Sequence, residues 1–180
     1  MISDRSTRGR MHYAGAFMCV AAIALFLISC QGPPKEVAEG IRAPHLDIQD
    51  PVTGQKVKFR DYEGRVLFVN FWATWCAPCR EEVPSIETLH RELFSDRRFA
   101  MVTILYKDNP KSAYDYMKGN GYSFPVFTDQ NGTTAERFRV TGVPETYLID
   151  KKGVLRKRVI GSLDWNAAET RAFVNTLLLE

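Results

Sequence analysis

The stretch Val66-Leu67-Phe68-Val69-Asn70-Phe71-Trp72 is apolar apart from Asn70. A continuous Val/Leu/Phe run of this kind reads as a strand buried on both faces, which calls for packed layers above and below it. Directly after it comes Trp75-Cys76-Ala77-Pro78-Cys79, and residues 80–94 have the composition of a helix. Two thiols therefore sit at a strand-to-helix junction. Free backbone N–H groups and the positive end of the helix dipole favour an anion there, which for cysteine is the thiolate. The dipole supplies about 0.3–1 kcal/mol, whereas one pKa unit is worth about 1.4 kcal/mol. It lowers the Cys76 pKa by little more than half a unit, and local donors must do the rest. Cys76 is expected to be the more exposed thiol, and Cys79, one turn in, the more buried. A disulfide across this short loop forms and breaks without unfolding the domain, so the chemistry is redox.

The first residues carry Arg5, Arg8 and Arg10, and residues 13–29 are apolar without a charge. A basic start and a short apolar stretch make an export signal, while a membrane-spanning helix needs roughly 20 apolar residues. The stretch ends Leu27-Ile28-Ser29-Cys30, which resembles a bacterial lipobox. That resemblance implies cleavage before Cys30, a diacylglycerol on its sulfur and an acylated new amino terminus. Multiple acylation anchors stably where a single chain does not. An uncleaved signal anchor, or an ordinary signal with a chance cysteine, is the alternative. The expected location is extracytoplasmic, anchored to a bacterial membrane and facing the periplasm or the cell exterior. Gln31 after Cys30 bears on inner against outer membrane without deciding it.

With Cys19 in the signal and Cys30 in the anchor, only Cys76 and Cys79 remain for the mature domain. No second pair staples the fold, so this disulfide works rather than braces. The formal charge of +3 falls to about +1 without the charges of the leader, which gives no sign of nucleic-acid binding. Residues 30–42, with Gly32, Pro33, Pro34 and Gly40, read as a lipidated cysteine and a flexible tether, spanning roughly 20 Å on average. Residues 43–180 suit one domain with one core.

Leu46-Asp47-Ile48 and Val57-Lys58-Phe59 alternate around Asp50-Pro51-Val52-Thr53-Gly54, a hairpin signal. The helix after the cysteines carries Val83, Ile86, Leu89 and Leu93 at helical spacing, with Pro84 inside it. Residues 99–105 form the next apolar strand, completing a parallel strand-helix-strand unit. Asn109-Pro110 starts a helix that Gly119 and Gly121 close. Val126-Phe127 is a short strand, a helical turn follows through 135–138, and 146–150 with 154–160 form a second hairpin around Lys151-Lys152-Gly153. A last helix from about Trp165 places Phe173, Val174, Leu177 and Leu178 on one face. The expected class is α/β, with a central mixed sheet flanked by helices.

Cys-x-x-Cys after such a strand is the thioredoxin-like redox motif. Val69-Asn70-Phe71-Trp72-Ala73-Thr74-Trp75-Cys76-Ala77-Pro78-Cys79-Arg80-Glu81-Glu82 resembles the TlpA/ResA/CcmG group of exported, membrane-tethered thiol-disulfide oxidoreductases. Phe124-Pro125-Val126, Gly142-Val143-Pro144-Glu145-Thr146 and Leu148-Ile149-Asp150 are similar to that group in order and spacing. The resemblance implies a thioredoxin-like fold with an N-terminal β-hairpin extension. It implies Cys76 as the nucleophile on a partner disulfide and Cys79 as the resolving thiol. Pro144 matches a proline held cis beside the disulfide, and Val143, with Trp75 and Glu145 nearby, would face an extended substrate segment. Thioredoxin carries a buried Asp at the position of Asn70, and Asn takes no proton, so another base must serve Cys79. Glu82 lies on the same helical face as Cys79 and is expected to have a pKa raised by burial. Glu145 is the other acidic candidate, and Glu81 points elsewhere.

The resemblance implies a reductant fed by a membrane thiol transporter and acting on cysteine pairs of exported proteins, apocytochrome c among them. No cofactor is expected beyond the redox-active disulfide. Two alternatives stand beside this reading. A thiol peroxidase would need a Pro-x-x-x-Thr-x-x-Cys arrangement, absent here. A copper(I) carrier would use Cys76 and Cys79 as thiolate ligands.

Overall fold

The computed structural model describes residues 37–180. The expected signal with Cys19 and the expected lipidation site, Cys30, lie outside the described residues. Among the described residues, no helix is long and apolar enough to cross a membrane.

The sheet is mixed and has seven strands among the described residues. The hydrophobic run forms β3 (Val66–Trp72), buried at every position, and it sits inside the sheet with β4 (Phe99–Leu105) parallel on one side. Beyond β4 lies β5 (Val126–Thr128), also parallel. On the other side β6 (Glu145–Ile149) runs antiparallel to β3 and pairs with β7 (Leu155–Ile160). The hairpin of β1 (Asp47–Gln49) and β2 (Lys56–Lys58) extends the sheet beyond β5. Its turn is held by Asp50, whose Oδ1 accepts from the N–H groups of Val52 and Thr53. Those donors also keep the Asp50 carboxyl below its usual range.

Side chains alternate across β3, so the sheet has two cores. On one face Phe68 and Trp72 share a cluster with Val83, Ile86 and Leu89 of α1 (Ala77–Leu93), Met117 of α2 (Pro110–Asn120) and Leu177 of α4 (Ala168–Leu179). On the other, Val69 and Phe71 pack with Leu46, Ile48, Phe138 and Tyr147 beside the short α3 (Thr133–Arg137). Burying each such apolar side chain contributes about 1.5–3 kcal/mol. The ends of α2 are capped as its sequence requires. Asn109 Oδ1 accepts from the Lys111 N–H, and Gly121 takes the left-handed conformation at φ 69°.

Two boundaries differ from the sequence reading. The last helix begins at Ala168, because the segment before it turns on itself: Thr170 Oγ1 donates to the Asp164 and Ala167 carbonyls. The domain also begins before residue 43. Val37 is buried, and Gly40 and Ala43 donate to the carbonyls of Leu155 and Gly153 while Ile41 accepts from Leu155. Backbone hydrogen bonding along the β6–β7 hairpin thus secures residues that composition marked as tether.

Candidate active site

The strand β3 ends at Trp72, and the chain enters α1 within four residues, which brings both cysteines to the C-terminal end of this interior strand. Cys76 is the N-cap of α1, and its sulfur accepts from the Cys79 N–H at 3.1 Å. Pro78 occupies the first turn, where a missing N–H costs nothing. Cys76 and Cys79 are joined as a disulfide. Cys76 is the more exposed of the two, as expected, but only at 5% against 1% for Cys79, so both residues are largely screened from solvent.

Facing Cys76 is the turn before β6. The Val143–Pro144 peptide is cis, and the Val143 carbonyl oxygen lies 3.4 Å from the Cys76 sulfur. Val143 is half-buried and Pro144 is buried. Trp75, 57% exposed, stands beside the disulfide in sequence and donates through its indole to the Lys107 carbonyl. Cys76, Val143, Pro144 and Trp75 are thus gathered at one end of the sheet.

Three residues after Cys79 on α1, Glu82 is only 2% exposed. Burial pushes its carboxyl up to about 7. The Trp165 indole opposes this by donating to Oε1 at 2.6 Å. The Leu163 N–H and the Asn70 side chain also favour the ionised form, without hydrogen bonds of good geometry to it. Asn70 is fully buried and donates to Thr146 Oγ1 at 2.8 Å. Glu81 is exposed.

The expectation that Glu145 serves as a second acidic group at the cysteines, or touches substrate, is corrected. It pairs with Phe71 across the β3–β6 ladder, and so faces the opposite core from Cys76 and Cys79. It is wholly buried, accepts from the Tyr147 hydroxyl at 2.6 Å and is ion-paired with Arg158 at 2.6 Å. An alternating strand that turns Pro144 toward one face turns its neighbour to the other.

Sequence reasoning missed Asp108 and Trp165. Asp108 Oδ2 accepts from both the backbone N–H and the hydroxyl of Thr74, at 2.6 and 2.8 Å, tying the loop before Cys76 to the end of β4. In the sequence, Trp165 marks only the start of a helix. Neither carries a local signal, because each acts on a residue more than 30 positions away. Among the described residues, no group of three or more His, Cys, Asp or Glu side chains is placed to hold a metal ion.

A cysteine pair at the start of a helix, Cys76 its N-cap and Cys79 in its first turn, opposite a cis-proline turn on this sheet defines a thioredoxin-like thiol-disulfide oxidoreductase. The chain belongs to the AhpC/TSA family, whose model matches residues 40–158. It is 29% identical over 129 residues to the thiol-disulfide oxidoreductase ResA of Bacillus subtilis, covering 72% of this chain and 71% of that protein. It is 30% identical over 168 residues to DsbE-2 of Pasteurella multocida, named as a thiol:disulfide interchange protein, covering 91% and 86%. Among solved structures, a thiol:disulfide interchange protein of the thioredoxin family from Chlorobium tepidum superposes with a TM-score of 0.67 at 26% identity. That match covers 80% of this chain and 99% of the other. The chain is therefore an oxidoreductase of the ResA/DsbE type.

Proposed function

We propose that this enzyme is exported, tethered to a bacterial membrane through a lipidated Cys30, and reduces disulfides in other exported proteins, apocytochrome c being the substrate that the family likeness suggests. The observation that carries the redox reading is the setting of the Cys76 sulfur. It lies 3.1 Å from the Cys79 N–H and 3.4 Å from the Val143 carbonyl, at the rim of the domain.

In the reducing direction the Cys76 thiolate attacks one sulfur of the partner disulfide. An S–S bond forms between Cys76 and the partner, the partner's own S–S bond breaks, and its other sulfur leaves as a thiolate. Trp75 and the Val143 backbone receive the extended segment that carries the disulfide. Glu82, as carboxylate, takes the proton from the Cys79 thiol. A carboxyl near 7 is matched to that task at neutral pH. The Cys79 thiolate then attacks the Cys76 sulfur, forming the intramolecular disulfide and releasing the second partner sulfur. Two electrons pass from the cysteine pair to the partner, and the proton of the Cys79 thiol, taken up by Glu82, together with the one Cys76 released on ionising, balances the two gained by the partner's thiols. A membrane thiol transporter returns the pair to the dithiol by the same exchange in reverse.

The test is to produce Cys79→Ser in the exporting cell and identify what remains disulfide-linked to Cys76. Capture of apocytochrome c supports the cytochrome branch, and capture of many exported proteins points instead to a general reductant. Absence of any mixed disulfide, with hydrogen peroxide consumed faster than protein disulfides by the unsubstituted chain, would overturn the reading in favour of a thiol peroxidase.

A further inference from the structure

We infer that Trp165 is a positioning residue for the proton step, its indole N–H fixing one oxygen of the Glu82 carboxylate so that the other is presented for proton transfer. This rests on the reading of Glu82 as the proton acceptor for Cys79.

The geometry is that of a built site rather than a chance contact. Glu82 and Trp165 are separated by 83 positions in sequence and both are almost fully buried, at 2% and 1% exposure. The Nε1–Oε1 distance is 2.6 Å, at the short end for a donor to a charged oxygen. The ring is held edge-on against Phe68 of β3, with centroids 4.8 Å apart. A second tie fixes the same residue to α1. The Trp165 N–H donates to Ser85 Oγ at 3.1 Å, and that hydroxyl donates to the Glu82 carbonyl at 2.8 Å. Backbone and side chain of Trp165 thus both address Glu82, one directly and one through Ser85. Oε2 meanwhile accepts no hydrogen bond of good geometry.

The physical consequence follows from burial. A carboxylate in an apolar setting needs donors to stay ionised. Cys79 is the titratable group on its own helix face. From β3 comes the uncharged Asn70, and from the segment before α4 come Leu163 and Trp165. The Asp164 side chain on that segment is exposed and accepts from the Asn166 N–H. A Trp is an economical choice here, since it is donor-only and fills the space that keeps the acid dry.

The experiment measures the pH profile of protein-disulfide reduction for the full chain, Trp165→Phe, Glu82→Gln and the double variant. Glu82→Gln is expected to remove the limb set by the acid. Trp165→Phe is expected to move that limb up by roughly one to two pH units, the loss of a hydrogen bond to a charged group, and the double variant to match Glu82→Gln. If Glu82→Gln removes the limb but Trp165→Phe leaves its midpoint in place, the inference fails while the role of Glu82 stands. The same holds if Trp165→Phe lowers the rate equally with and without Glu82. If Glu82→Gln keeps the unsubstituted profile, the acceptor reading itself fails.

A second measurement does not depend on the folding of Trp165→Phe. In the unsubstituted chain the Trp165 indole N–H resonance should titrate with the Glu82 carboxyl and stand still in Glu82→Gln. The Trp72 and Trp75 indoles, which donate to Thr103 and Lys107, serve as internal references. A Trp165 resonance indifferent to the state of Glu82 overturns the inference whatever the kinetics.

Discussion

A single oxygen of Asp108, Oδ2, accepts from both the N–H and the hydroxyl of Thr74, at 2.6 and 2.8 Å, and so anchors the loop that presents Cys76. A hydrogen bond to a charged group contributes about 1.5–3 kcal/mol, and the two here share one oxygen of a partly exposed side chain, which keeps their joint contribution within that range. Asp108→Ala is therefore expected to lower stability by about 2 kcal/mol in urea denaturation. It should also slow reduction of a protein disulfide, because the Cys76 N-cap geometry loses its support. A variant with unchanged stability and rate would show that the loop is held by other means.

Stability should depend on pH through Glu82. In the unfolded chain this carboxyl ionises near 4.5, and in the folded protein near 7, with burial as the main cause. Between those values the folded state holds a proton that the unfolded state has released, so stability falls as pH rises through the window. The loss amounts to about 3 kcal/mol once pH exceeds the folded value. Glu82→Gln should flatten the dependence across this range, as read by denaturant midpoints at several pH values. An unaltered slope in the variant would place the titrating group elsewhere.

The Glu145–Arg158 pair has a stability role. Glu145 is wholly buried, and its salt bridge to Arg158 and the hydrogen bonds from the Tyr147 hydroxyl and the Thr141 N–H are what compensate its charge. Removing one partner of a buried pair leaves the other unpaired, at a cost of about 3–5 kcal/mol. Arg158→Met is expected to lose that much, measured by chemical denaturation. The change in a rate measured well below the unfolding transition should be small by comparison, because Glu145 faces away from the sulfurs.

Trp75 is the opposite case. It is 57% exposed, so Trp75→Ala should alter stability by no more than about 0.5 kcal/mol. Exposed tryptophans at contact surfaces are costly to truncate once a partner covers them. The expected outcome is a fall of about tenfold in kcat/KM for a protein disulfide. A value equal to that of the unsubstituted chain would remove Trp75 from the substrate surface.

The order of strands and helices was legible in the chain because each element carries its own periodicity and punctuation. Val66–Trp72 is apolar throughout, Asn109-Pro110 opens a helix, and Lys151-Lys152-Gly153 turns a hairpin. The cysteine pair was legible for the same reason, since Cys76 and Cys79 lie within one turn of each other. Glu145 shows the limit of such reading. Its place next to Pro144 suggested a site residue, yet strand alternation sends its side chain into the far core.

What the chain determined alone was local: which residues form strand and helix, and that two thiols sit at the start of one helix. What only the tertiary structure decided was which distant groups surround them, with Trp165 and Asn70 near Glu82, Asp108 beneath Thr74 and Val143 across from Cys76. Local propensity acts over a few residues and leaves a sequence trace. The pKa of a buried acid depends instead on the solvent and donors around it, which exist only once separate segments have packed together.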